Sequence, residues 1–163
     1  QFSRTQLLLG FAGVSAGMVR EDEGSLDFSP EASPRQNKNA DLNARLALAR
    51  SHPECPFLSI HLNQFSQPVY SGAQVFYSPN HPKSVPLAET LQKTLRQALD
   101  PGNDRQIKPA PEGVFLMKNI TAPAVTIECG FLSNPEECAL LRQETYQTKI
   151  ALAIACGYLE SRG

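Results

Sequence analysis

The sequence predicts an α/β fold, with a mostly parallel central sheet flanked by helices. Three observations carry that prediction. Segments of strand character alternate with amphipathic helical segments through most of the chain, the order expected of a sheet covered by helices. One segment, Phe57-Leu58-Ser59-Ile60-His61-Leu62, is a compact apolar run of the kind buried on both faces of a sheet. Nothing repeats internally and no linker divides the chain, so its 163 residues suit one domain with one core.

Taken in order, Thr5 to Phe11 reads as the end of an amphipathic helix closed by Gly13, and Val14 to Val19 as a short strand weakened by Ala16 and Gly17. Arg20 to Asn39 holds Pro30, Pro34, five acidic residues and several Ser and Asn, and reads as a long polar loop. Asp41 to Ser51 is a helix with Leu42, Leu46 and Ala49 on one face, ended by His52-Pro53. The apolar strand at 57–62 follows, then a strand from Gly72 to Tyr77. Pro86 opens a helix with Leu87, Leu91, Leu95 and Ala98 on one face, stopped by Pro101-Gly102. Gly113 to Lys118 and Ala124 to Cys129 read as two further strands. Asn134-Pro135-Glu136-Glu137 starts a helix: Asn134 caps it, Pro135 fits its first position, and Glu137 suits a reciprocal cap. A last helix runs from about Thr145 to Leu159 with Ile150, Ile154 and Tyr158 inward.

Composition narrows the function classes. Apolar residues are 41% and charged residues 19% of the chain, which argues against disorder. A formal net charge of -1, no Trp and only four Tyr point away from nucleic acid. No apolar run reaches the ~18–20 residues of a membrane helix. The run Leu7 to Val14 lacks the basic flank and cleavage site of a signal peptide. Cys55, Cys129, Cys138 and Cys156 form no CxxC pair, and Cys129 and Cys156 read as small buried hydrophobes.

Two polar residues stand out because they interrupt apolar strands near their C-terminal ends, where open α/β sheets bind ligands. One is His61, followed two residues later by Asn63; the other is Glu128, after Val125-Thr126-Ile127. A carboxylate in an apolar setting costs several kcal/mol unless paired, and burial raises its pKa toward the range of a general base. A His and a Glu at neighbouring strand ends can meet around one metal-bound water. The plain structural alternatives are a core His bonded to a backbone carbonyl and a Glu paired with Arg or capping a helix; spacing alone leaves them open. His52, before a Pro at a helix end, and His81, in the loop Asn80-His81-Pro82, read as surface residues.

The segments containing these residues resemble a known family. Ser59-Ile60-His61-Leu62-Asn63 is similar to its S-I-H-x-N motif, Gly72 to Tyr77 to the strand that follows, and Glu128 to Asn134 to its E-x-G-F-x-S-N motif. Leu87-Ala88, Leu116-Met117-Lys118 and Pro123-Ala124-Val125 fall in the expected order between them. Over roughly residues 38–159 the chain resembles the zinc-dependent N-acetylmuramoyl-L-alanine amidases (the amidase_3 family), with the spore-cortex, germination-specific subgroup the best fit. The resemblance implies a peptidoglycan hydrolase that cuts the amide between N-acetylmuramic acid and L-alanine with zinc-activated water. It further implies that residues 1–163 are one catalytic domain, that the location is the cell wall or spore cortex, and that an activating protein partner is possible. In that family two His and one Glu hold Zn2+ and a further Glu activates the water. His61 matches the second His ligand and Glu128 the catalytic Glu, while Asn63 and Asn134 match polar positions that line or support the substrate site.

The family's first motif, a strand followed by D-x-G-H-G-G, has no counterpart, and no G-H-G occurs. Gln1-Phe2-Ser3-Arg4 falls where the family's first helix is expected, and Met18 to Asp22 is similar to its T-R-x-x-D segment with Val19 in place of Thr. The expectation is a domain lacking the family's first strand and two of three zinc ligands, with impaired hydrolysis. A non-catalytic relative that binds peptidoglycan or a protein partner is the main alternative, against which Glu128 argues. A generic zinc peptidase is a third, disfavoured because no H-E-x-x-H occurs.

Overall fold

The computed structural model describes residues 2–19 and 24–163. In chain order its elements are α1 (Phe2–Phe11), α2 (Pro34–Ser51), β1 (Phe57–Asn63), β2 (Gln74–Tyr77), α3 (Ser84–Leu99), β3 (Lys108–Pro109), α4 (Phe115–Asn119), β4 (Ala124–Phe131), α5 (Pro135–Leu141) and α6 (Glu144–Ser161). The strands form one sheet in the order β1-β4-β2-β3. β1 runs parallel to β4 and β2 parallel to β3, whereas β2 and β4 are antiparallel, so the sheet is mixed with two of its three pairings parallel.

β4 organises the packing. It has a neighbour on each side, and of its eight residues all but Glu128 are buried. Val125, Ile127 and Cys129 project to one face, where Val75 of β2 joins them beneath Leu87, Leu91 and Leu95 of α3 and Ile150 and Ile154 of α6. At the start of the strand Ala124 belongs to a second cluster with Leu46 of α2, Leu116 and Met117 of α4, Ile120 and Ala122. The two sides of β4 therefore face different helices. Burying these side chains supplies the main stabilising term of the fold. Among the described residues no helix is long and apolar enough to cross a membrane.

Several elements differ from the sequence expectation, each for a local reason. Residues 34–39, expected in the polar loop, are the first turns of α2. Ser33 caps them: its hydroxyl accepts from the Gln36 N–H, and the Gln36 side chain accepts from the Ser33 N–H. Residues 20–23 of that expected loop lie outside the described residues. Val14 to Val19 forms no strand. α1 ends at Gly13 with φ 75°, the Gly13 and Val14 N–H groups bonding to Gly10 O and Leu9 O. The Gln6 amide then donates to Ala16 O at 2.7 Å. The apolar run at 113–118 is a helical turn rather than a strand, and Asn80 explains why. Its amide donates to Met117 O, Lys118 O and Ile120 O, satisfying the carbonyls left open at the end of α4. α3 begins two residues before Pro86, at Ser84, whose buried hydroxyl accepts from the Ala124 N–H. Cys129 is buried as expected, but Cys156 is exposed, because it shares the outer side of α6 with Leu152.

Helices α3 and α6 pack tightly at Gly157. A Cβ on Gly157 would lie 2.5 Å from Thr94 Oγ1 and 2.9 Å from Leu91 Cα. The second contact is with backbone and cannot be relieved by a rotamer change. Gly157→Ala therefore lowers stability, despite the better helix propensity of Ala, by about 1–3 kcal/mol in urea unfolding. An unchanged midpoint would mean that α6 shifts freely on α3.

Candidate functional site

The parallel register of β1 on β4 pairs His61 with Glu128. Partners in a register project to the same face, and neighbouring strands lie about 4.7–4.9 Å apart, so the two side chains stand side by side. On the other side of β4 the antiparallel register pairs Glu128 with Gln74. His61, Glu128 and Gln74 thus form a polar row across three strands, on the face opposite Val75, Ile127 and their helices.

Glu128 is half-buried, and its Oε2 is buried with no hydrogen-bond partner among the described residues. Loss of water around it pushes the carboxyl above its ordinary pKa. His61 Nε2 is 2.7 Å from Ser59 Oγ, two residues back along β1. His61 keeps some exposure, but its partial burial, and then the positive charge of Arg45, lower its pKa. The imidazole is therefore neutral at neutral pH and has a lone pair to offer. Arg45 is itself held by Asp41, with Nε to Oδ2 at 2.7 Å.

Just beyond the row the register shifts. His61 pairs with Glu128 but Asn63 pairs with Phe131, so β4 carries one extra residue. Gly130 lies in this bulge with φ 151°. A Cβ there would sit 3.3 Å from the Glu137 carboxylate. Glu137 does not make the expected reciprocal cap. Its carboxylate accepts from the Gly72 N–H and the Phe131 N–H, each at 2.8 Å, and so bolts the segment before β2 to the end of β4.

Asn63 places its backbone carbonyl against the Leu132 N–H at 2.8 Å. Asn134 has both ends of its amide in use. Oδ1 accepts from Glu136 N and Glu137 N, and Nδ2 donates to Pro68 O. In this structure it caps α5 and braces the loop after β1. Against the same end of β4 lie Phe131, Tyr70 and Phe65, with the Tyr70 ring 5.0 Å from Phe65 and 6.3 Å from Phe131. Arg105 covers Phe131 at 4.9 Å and donates to Gln74 Oε1 at 3.1 Å.

The row thus brings His61 and Glu128 together, with Asn63 two residues along β1 and Asn134 in the supporting loop contacts. His52 sits at the end of α2, its Nδ1 near Ser51 Oγ and Leu48 O. His81 lines a groove with Pro123, which precedes β4, at the end of the sheet away from Glu128. Sequence reasoning missed Gln74 and Arg105, and read Ser59 only as part of a motif and Glu137 only as a cap. The alternation of β1 marks Ser59 as sharing a face with His61, but Gln74 and Arg105 gain significance only from the strand register.

Comparison with known proteins agrees with this architecture. The family model for N-acetylmuramoyl-L-alanine amidase (Amidase_3) matches residues 8–159. The germination-specific N-acetylmuramoyl-L-alanine amidase of Bacillus subtilis is 36% identical over 149 residues, 90% of this chain and 61% of the relative. This chain therefore spans about three fifths of that protein. Among solved structures, the CwlD amidase of Clostridioides difficile, in complex with the GerS lipoprotein, is 38% identical with a TM-score of 0.92, covering 98% of this chain and 81% of that one. The AmiC2 amidase of Nostoc punctiforme is 26% identical with a TM-score of 0.76, covering 97% and 78%. The whole sheet and the motifs around positions 61 and 128 lie within the matched span, and the chain belongs to the N-acetylmuramoyl-L-alanine amidase family.

Proposed function

We propose that this chain acts on peptidoglycan as an amide hydrolase, cutting between N-acetylmuramic acid and L-alanine, with Glu128 as general base. The observation that carries this reading is the pairing of a neutral imidazole with a half-buried carboxylate whose Oε2 has no hydrogen-bond partner among the described residues. Such an oxygen is set to take a proton from a water molecule at the strand ends. Its raised pKa makes it a better acceptor than an exposed Glu and lets it return the proton to the departing amine of L-alanine.

The zinc expected from the family needs three protein ligands and one open position. Among the described residues no three His, Cys, Asp or Glu side chains converge on one point. These residues do not complete a zinc site, and the reading assigns His61 as one donor to it. Asn63, beside the row, is proposed to contact substrate. Asn134 is proposed to support that contact through the loop it braces. Residues 1–163 are read as a single catalytic domain, in which His61 alone would hold zinc weakly. The similarity to germination and cell-wall amidases supports an extracytoplasmic place in the wall or spore cortex. The GerS lipoprotein bound to the C. difficile relative supports a protein partner for this chain as well.

The function is tested by incubating purified peptidoglycan with the chain and zinc, and analysing released fragments by mass spectrometry. Stem peptides with a free L-alanine amine are expected. Peptidoglycan binding with no release, or release unchanged in Glu128→Gln, would favour a non-catalytic relative or a different base. Glu128→Gln is expected to cost about 100-fold or more in rate. Its stability moves the other way. Folding raises the Glu128 pKa above its ordinary 4.5, so the unfolded state loses this proton first. Wild-type stability therefore falls, relative to the Gln variant, as pH rises from the ordinary value through the raised one. The variant should melt higher than wild type at neutral pH, and the difference should vanish in acid; a variant that melts lower at neutral pH would show that the carboxylate is stabilised by a partner. Calorimetric zinc titration should give weak binding that His61→Ala weakens further, and a tight one-to-one site independent of His61 would overturn its assignment.

A further inference from the structure

We propose that Arg105 is a substrate-recognition residue, anchoring a peptide carboxylate next to the Glu128 row. The inference deepens the hydrolase reading and rests on it. A guanidinium usually spends itself on an acidic partner or hangs in solvent. Arg105 does neither. Its Nε donates to Ser71 O at 2.7 Å and its Nη1 to Gln74 Oε1 at 3.1 Å, while its plane rests 4.9 Å above the Phe131 ring. Its own backbone is fixed too, the N–H donating to Asn103 Oδ1 and the carbonyl accepting from Arg96 Nη2. None of the ion pairs among the described residues includes it, and Nη2 makes no hydrogen bond to them. The nearby Glu137 carboxylate is taken up by two backbone N–H groups.

The result is a half-buried cation whose conformational entropy has already been lost and whose Nη2 is unengaged. These contacts order the guanidinium without giving it an anionic partner, so an anion arriving at Nη2 meets a preorganised donor. The position says which anion. Gln74, the acceptor of Nη1, is the register partner of Glu128. A group held by Arg105 therefore lies one side chain from the base. The amide hydrolysed there releases a peptide, and a carboxylate on that peptide is within a residue or two of the scissile bond.

The experiment measures binding, so that it does not depend on turnover. Two muramoyl peptides differing only in one peptide carboxylate, free or converted to the carboxamide, are titrated into Glu128→Gln protein and into Glu128→Gln/Arg105→Gln. The first protein should prefer the free acid by about tenfold or more, as expected for a charge-assisted hydrogen bond. The double variant should lose that preference while keeping its affinity for the carboxamide. Arg105→Lys, which keeps the charge but not the fork, should retain a smaller preference that fades with salt. If Arg105→Gln perturbs folding, the Lys variant alone decides: an undiminished preference in it overturns the anchor. Equal binding of both peptides by Glu128→Gln protein overturns the anchor and leaves the hydrolase reading intact; binding of neither overturns both.

Discussion

The parallel pairing of β1 with β4 is the constraint on which the site depends. It joins two strands distant in sequence and sets His61 against Glu128. Because side chains alternate along a strand, a slip of one residue would send one of the pair into the apolar layer under α3 and α6. The alternation of Val125, Ile127 and Cys129 toward that layer blocks such a slip, since each would have to trade places with a polar neighbour. The apolar packing that holds the molecule together is thus also what aims the carboxylate outward. Glu128 bears a desolvation cost that the surrounding buried positions of β4 can carry.

Around this pair the fold adds a second set of ties at the strand ends. Asn134 and Glu137, three residues apart at the start of α5, reach in two directions. One caps the helix and holds Pro68 O, and the other takes the N–H groups of Gly72 and Phe131. The loop between β1 and β2 is therefore pinned at its middle and near its far end to the helix that follows β4. That ties the aromatic cluster and Arg105 to the strand end that carries Glu128, so the site is framed by loops anchored to the sheet.

Much of this was legible in the sequence, and the gaps have physical causes. The helices stood out where apolar spacing was regular, as at Leu87, Leu91 and Leu95, and where capping chemistry was strong, as at Asn134. Polar residues in apolar strands marked His61 and Glu128. Their adjacency could not be read from spacing, because it is a property of strand pairing over a long sequence separation. For the same reason Gln74 and Arg105 stayed hidden. Gly113 to Lys118 was misread as strand because a short apolar run has no period to betray it, and the helical form seen there depends on Asn80 some forty residues away. The cap at Ser33 was visible in principle, but the polar composition around it outweighed it. Asn134 was expected both to cap α5 and to line or support the site; its Oδ1 makes the cap, while the contact of its Nδ2 with Pro68 O is one that only the loop geometry reveals.

β4 is also where the two apolar clusters meet. Ala124 belongs to one, and Val125, Ile127 and Cys129 belong to the other. Neither cluster can loosen on its own without tugging at the strand that the other grips. Amide protons in the middle of β4 should thus exchange with solvent only through whole-molecule opening, while those of α1 and α2 escape through local fraying. The Glu128 carboxylate would then sit on the slowest-exchanging segment of the chain, the least suited to drift.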